Sequence, residues 1–154
     1  MIETPRTTDT PSRHIAFIPL VVPRDEIRHV MGPGIQEVYA AITAQGRAPT
    51  GPWFTFHHRR PTDSFDFKIC VPVDTPVAPT GRVLAGELPA QKVIRTVYHG
   101  PYEGLGQAWG EFIGWVAANG MTVSAELWEA YIVGPESSAN PADWRTELNL
   151  PLVG

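Results

Sequence analysis

Apolar positions recur at helical spacing in two stretches of the chain. Ile35, Val38, Tyr39 and Ile42 fall at i, i+3, i+4 and i+7; Leu105, Ala108, Trp109 and Phe112 repeat that spacing, and Val116 extends it. The pattern predicts two amphipathic helices. A Gly-Pro precedes each, in "MGPG" at 31–34 and "HGPY" at 99–102, and each closes on glycine, in "ITAQG" at 42–46 and "VAANG" at 116–120. Proline suits a first helical turn, and glycine suits the left-handed residue that ends a helix.

Elsewhere the apolar pattern reads as strands. Such runs occupy 14–22 ("HIAFIPLVV"), 51–57 ("GPWFTFH"), 65–73 ("FDFKICVPV"), 82–88 ("RVLAGEL"), 92–99 ("KVIRTVYH"), 125–131 ("AELWEAY") and 144–152 ("WRTELNLPL"). From Gly46 to Gly120 the offset is 74 residues, and it lays "GPWFTFH" over "AELWEAY". The strands that follow share a penultimate proline at an offset of 79, so the second hairpin is five residues longer. The chain therefore reads as an α+β fold of duplicated β-α-β-β units with antiparallel strands. The first repeat spans about 14–73, the linker 74–81 and the second repeat about 82–153. Two such copies are expected to pair across a pseudo-twofold axis, leaving a central ligand cleft between the halves. Residues 1–12, polar and rich in Pro and Thr, read as a flexible tail ahead of a single domain at 13–154.

Composition narrows the class. A hydrophobic fraction of 43% and a charged fraction of 18% are those of a folded, soluble protein. The net charge of -4 argues against a nucleic-acid partner, and no apolar run reaches the ~18 residues of a membrane helix. Cys70 has no second cysteine to pair with, and the N-terminus lacks an apolar secretory core, so a cytoplasmic location is expected. The histidines show no ligand spacing, and no phosphate loop or nucleophile elbow is present, so no metal and no cofactor are expected.

One strand raises a chemical question. In "ELWEAYIVGP" at 126–135, Glu129 shares a face with Leu127, Tyr131 and Val133, while Trp128, Ala130 and Ile132 take the other. A carboxylate walled by aromatics loses hydration, and its pKa should rise. It could then serve as counter-ion to a lipophilic cation, with ring faces adding about 0.5–2 kcal/mol. It could also donate or accept a proton in catalysis. The plainer alternative is a solvated face, or capture by Arg or Lys.

By the 74 offset, the first-half counterparts of Glu129 and Tyr131 are Thr55 and His57, so only one half brings a carboxylate to this position. The same register turns Trp53 toward the cleft and Trp128 toward the helices. Glu147, beside Arg145 and Asn149 and matched by Lys68 in the first half, is a second acidic candidate after Glu129, on a polar face of the kind usually solvated or self-paired. Trp109 and Phe112 lie on the buried helix stripe and read as core, with Trp109 also counted among the ligand walls. Gly106, Gly110 and Gly114 recur every four residues and admit close approach of a sheet or of a second subunit, which is compatible with a homodimer.

The stretch "ELPAQKVIRTVYHGPYEGLGQAWGEFIGWVAANG", with "WEAYIVGP" and "WRTELNLPLV", resembles the GyrI-like small-molecule-binding domain, also called the effector-binding domain of AraC-type regulators. "VPRDEIRHVMGPGIQEVYAAITAQG", "GPWFTFHH" and "FDFKICVPV" extend the likeness over about residues 14–153. The resemblance implies a duplicated β-α-β-β fold around a ligand cleft, with Glu129 and Tyr131 matching the family's E-x-Y strand motif. In the family this domain senses hydrophobic, often cationic drugs for an attached DNA-binding domain; other members sequester compounds alone or hydrolyse cyclopropane-bearing genotoxins. Lacking a DNA-binding segment, this chain reads as the stand-alone kind. The expected function is capture of a hydrophobic or cationic small molecule. A hydrolase using Glu129 and Tyr131 is the alternative, and a gyrase-inhibitor-like protein-binding module is a third.

Overall fold

The computed structural model describes residues 2–153, which fall into two compact units. The elements run β1 (Arg6–Thr10), β2 (Arg13–Pro23), α1 (Ile27–Ala44), β3 (Phe54–His57), β4 (Ser64–Val73) and β5 (Leu84–Leu88). They continue as β6 (Gln91–His99), α2 (Leu105–Ala118), β7 (Leu127–Val133) and β8 (Arg145–Pro151). The architecture is α+β and the strand pairings described below are antiparallel, as the alternating segments imply. Among the described residues no helix is long and apolar enough to cross a membrane.

The first unit, residues 11–90, orders its strands β3-β4-β2-β5. Helix α1 lays Val38, Ala41 and Ile42 over Ala16 and Ile18 of β2 and Phe67, Ile69 and Val71 of β4. Gly34 sits at the tightest point of that contact. A Cβ there would stand 2.5 Å from Ile69 Cδ1, so glycine sets how closely helix and sheet approach.

The helix begins at Ile27, well before the Gly-Pro read as its start, and carries Pro33 in its interior. Pro33 is exposed. The carbonyl that its missing N–H leaves unbonded can be hydrated there, which makes an interior proline tolerable. Both helices do end as expected: Gly46 and Gly120 follow them at φ 66° and 69°, in the left-handed region.

The second unit comprises residues 91–153 with the N-terminal strand, and orders its strands β7-β8-β6-β1. Helix α2 places Ala108, Trp109, Phe112 and Val116 against Ile94, Leu127, Leu148 and Leu150. Full burial of a ring such as Phe112 contributes roughly 1.5–3 kcal/mol.

Two expectations about chain organisation change. Of the tail expected at 1–12, Met1 lies outside the described residues and the rest is not loose: β1 pairs with β6, Glu3 N–H bonds Val97 O, and Thr96 Oγ1 donates to Glu3 O at 2.6 Å. The threonine-rich, charged "RTTDT", bracketed by Pro5 and Pro11, suits a short edge strand. Strand β5, taken to lead the second repeat, instead pairs with β2 and belongs to the first unit. Strand β1 therefore joins the unit of β6 and not that of β2 beside it in the chain, and β5 joins the unit of β2 and not that of β6, which follows it.

Within each unit the central pairings match at the sequence offsets. Thr55 faces Ile69 and His57 faces Phe67 on β3–β4; 74 and 79 residues on, Glu129 faces Leu148 and Tyr131 faces Thr146 on β7–β8.

Gly106, Gly110 and Gly114 lie on the exposed side of α2, and a Cβ at any of them would meet nothing within 4 Å. They do not serve helix–sheet contact. Replacing Gly110 by Ala is expected to raise stability by up to about 1 kcal/mol, from helix propensity and reduced unfolded-chain entropy. By contrast Gly34→Ala should lower it by about 1–3 kcal/mol, since the new Cβ overlaps Ile69. Urea unfolding of both variants checks the pair of signs.

Candidate functional site

The site grows from a two-residue step along β7. Glu129 and Tyr131 project from one face, side by side, and the Tyr131 hydroxyl donates to Glu129 Oε2 at 2.7 Å. The other carboxylate oxygen is met from above. Trp109, on the buried stripe of α2, donates its indole N–H to Glu129 Oε1 at 2.6 Å. Two short donors thus clamp a half-buried carboxylate whose cross-strand neighbour is Leu148.

Burial raises the Glu129 pKa above the ordinary carboxylate range, and the hydrogen bonds from Tyr131 and Trp109 pull it partway back down. No ion pair reaches it among the described residues.

Tyr102, in the short 3-10 turn before α2, extends the aromatic wall. Its ring meets Tyr131 edge-on at 5.8 Å and lies against Trp144 at 4.8 Å. Trp144 is anchored by its indole N–H, which donates to Ser138 O at 3.0 Å. The Tyr102 hydroxyl is pushed up to about 12, by burial first and then by the negative charges of Glu136 and Glu129. Both Tyr102 and Trp144 remain half-exposed, so their rings can receive a ligand. Periodicity gave no warning of Tyr102 or Glu136, which sit in a turn and a loop, and it placed Trp144 on a strand face without showing that its ring meets Tyr102.

The face assignment is reversed from expectation. Leu127 packs with Ala108, Trp109 and Phe112 of α2, so the face carrying Leu127, Glu129 and Tyr131 is the one the helix covers. Fully buried Trp128 lies on the opposite side. In the first unit Trp53 likewise packs against the helix-side core. The sequence grouped these residues correctly by face but turned the faces the wrong way.

Thr55 and His57 form a contact of their own, Thr55 Oγ1 to His57 Nε2 at 3.0 Å. His57 stacks on Phe67 at 5.4 Å with an interplanar angle of 16°. Burial, and to a lesser degree His58, lowers its pKa to about 4, so it is neutral at physiological pH and adds no charge. Glu147 points away from Glu129, on the other face of β8. Arg95 pairs with it at 3.3 Å and donates to Asn149 Oδ1 at 2.7 Å, while Asn149 Nδ2 donates to Glu147 Oε1 at 3.2 Å. The self-paired reading of Glu147 therefore applies.

A shallow depression of about 140 Å3, lined by Tyr98, Gly104, Gln107, Ala108 and Glu111, lies between β6 and α2. Neither Glu129 nor Tyr131 lines it, and the chemistry argues for the carboxylate rather than the hollow as the functional centre.

A family model described as a GyrI-like small molecule binding domain matches residues 3–153, essentially the whole chain. The chain belongs to the GyrI-like family. Solved structures agree on the fold of this GyrI-like domain. The EcmrR C-terminal domain is 24% identical with a TM-score of 0.86, covering 97% of each chain. In EcmrR bound to DNA the match covers 98% of this chain at the same identity and TM-score, but this chain spans only 57% of EcmrR's length. SAV2435 bound to tetraphenylphosphonium is 13% identical with a TM-score of 0.66, covering 99% of this chain and 95% of that one. A hydrolase from Listeria innocua is 14% identical with a TM-score of 0.69, covering 97% and 91%. No curated protein matches the chain.

Proposed function

We propose that this GyrI-like domain binds hydrophobic, cationic small molecules, with Glu129 as the counter-ion and Tyr131, Tyr102, Trp109 and Trp144 as aromatic surroundings. The observation that carries this reading is the half-buried Glu129 carboxylate, held by two neutral donors and lacking a cationic partner among the described residues. Such a group is left with unmet electrostatic demand. A soft cation that sheds its water easily satisfies it, and ring faces add to the attraction. That SAV2435 binds tetraphenylphosphonium supports the same ligand class.

Tryptophan-fluorescence titration tests the reading with a matched pair of probes. Tetraphenylphosphonium should bind at least about tenfold more tightly than neutral triphenylphosphine oxide, the margin of one unscreened charge contact. Equal affinity for the two would remove the counter-ion role.

A second reading rests on the same residue. A carboxyl whose pKa is raised, hydrogen-bonded to a tyrosine, can also pass a proton to a leaving group or take one from water. In a hydrolase of electrophilic compounds Glu129 would supply that proton, and Tyr131 would position it. Product released in excess of enzyme, and lost in Glu129→Gln, would establish turnover; stoichiometric depletion would leave binding as the function.

A further inference from the structure

Glu136 follows β7 in the loop toward β8, exposed, and no hydrogen bond or ion pair engages its carboxylate among the described residues. Its carboxylate lies near the Tyr102 hydroxyl, with both over Gly134. A Cβ on Gly134 would stand 2.7 Å from the Tyr102 hydroxyl and 2.9 and 3.0 Å from the two Glu136 oxygens. Phenol and carboxylate thus converge on one glycine, which has no side chain to separate them. On its other side Tyr102 meets Tyr131, whose hydroxyl is bonded to Glu129. The order across the site is therefore carboxylate, ring, ring, carboxylate, with Trp144 laid along Tyr102.

A second observation marks the region as built for a ligand. Thr146 stands directly across from Tyr131 on the same face, fully buried, and its Oγ1 has no hydrogen-bond partner among the described residues. An unsatisfied buried hydroxyl is destabilising and calls for a compensating role. The residue at the matching pairing position of the first unit is Phe67, whose ring fills the space against His57. Threonine beside Tyr131 leaves a polar handle where phenylalanine leaves none.

We infer that Glu136, with Tyr102 and Trp144, forms a second anionic subsite beside that of Glu129, so that the domain selects dications: lipophilic molecules with two positive centres joined by a spacer that lies along the tyrosine rings. The inference rests on the counter-ion reading of Glu129. It adds that the outer carboxylate discriminates between one positive centre and two. Glu129 anchors the desolvated centre, and Glu136 meets the other in a more hydrated setting, where an ion pair is weaker but still directional.

The test compares an alkyltriphenylphosphonium with the corresponding alkane-α,ω-bis(triphenylphosphonium) over several spacer lengths, by isothermal titration calorimetry at low salt. Wild type should prefer the best bis-cation by about fivefold beyond the statistical factor of two for its identical ends, the size of one partly exposed ion pair. Glu136→Gln should erase that preference, weakening the bis-cation about fivefold more than the mono-cation. Glu87→Gln, which removes one negative charge from an exposed strand of the first unit, should leave both affinities unchanged. A preference that survives Glu136→Gln overturns the inference, as does one lost equally in Glu87→Gln. Failure of the mono-cation to bind wild type at all would instead count against the Glu129 reading.

Discussion

Glu129→Gln is expected to weaken binding of tetraphenylphosphonium by about tenfold to a hundredfold while leaving triphenylphosphine oxide within about twofold of wild type. Glutamine keeps the shape and can still accept from Trp109, so the loss isolates the charge. The same substitution should change how stability depends on pH. Burial raises the Glu129 pKa, so the folded state holds this proton to higher pH than the unfolded chain does. Its favourable contribution is complete below the unfolded carboxyl value and is lost as pH rises through the folded one. Wild type should therefore lose stability relative to the glutamine variant between acidic and mildly alkaline pH. Urea midpoints at pH 4 and pH 8 measure the difference.

The second large effect concerns the indole clamp. Trp109→Phe removes the N–H that bonds Glu129 Oε1 at 2.6 Å and leaves a small void beneath α2. A destabilisation of about 2–4 kcal/mol is expected at pH 8, combining an orphaned charged acceptor with lost packing. At pH 5 the cost should be smaller, because lower pH shifts the carboxyl toward its protonated form, which has less need of the donor. Loss of a donor that favours the charged form should also push the Glu129 pKa further up. Cation affinity in Trp109→Phe would then recover as pH rises. A variant equally destabilised at both pH values would make Trp109 a packing residue only.

Much of this was legible in the chain. Two periodic stripes gave both helices, and alternation gave most strands. The paired glycines at 46 and 120 fixed an offset that the cross-strand partners reproduce, with Glu129 against Leu148 where Thr55 stands against Ile69. Glu129, Tyr131 and Trp109, three of the residues singled out, are joined by hydrogen bonds.

What escaped has physical reasons. Alternation tells which residues share a face but not which face a helix will cover, so the helix-covered side was assigned to Trp128 instead of Leu127, although both are buried. A buried stripe says that Trp109 is covered and says nothing of what its N–H meets. Chain order makes β5 look like the start of the second unit, whereas its pairing with β2 is a non-local choice. Tyr102 and Glu136 lie in a turn and a loop, where no period exists to expose them, and the alternation that includes Trp144 says nothing of the ring it meets. Pro33 looked like a helix start because an exposed interior proline has the same local signature as one in a first turn.

Every functional step above requires one acid group to be uncomfortable in its folded setting and relieved by a positive ligand. Carbon-13 NMR of the Glu129 side-chain carboxyl, titrated with and without saturating tetraphenylphosphonium, reads that directly. The free protein should show a pKa above the ordinary carboxylate range, falling when the cation is bound. An ordinary value that the ligand leaves unchanged would contradict the account.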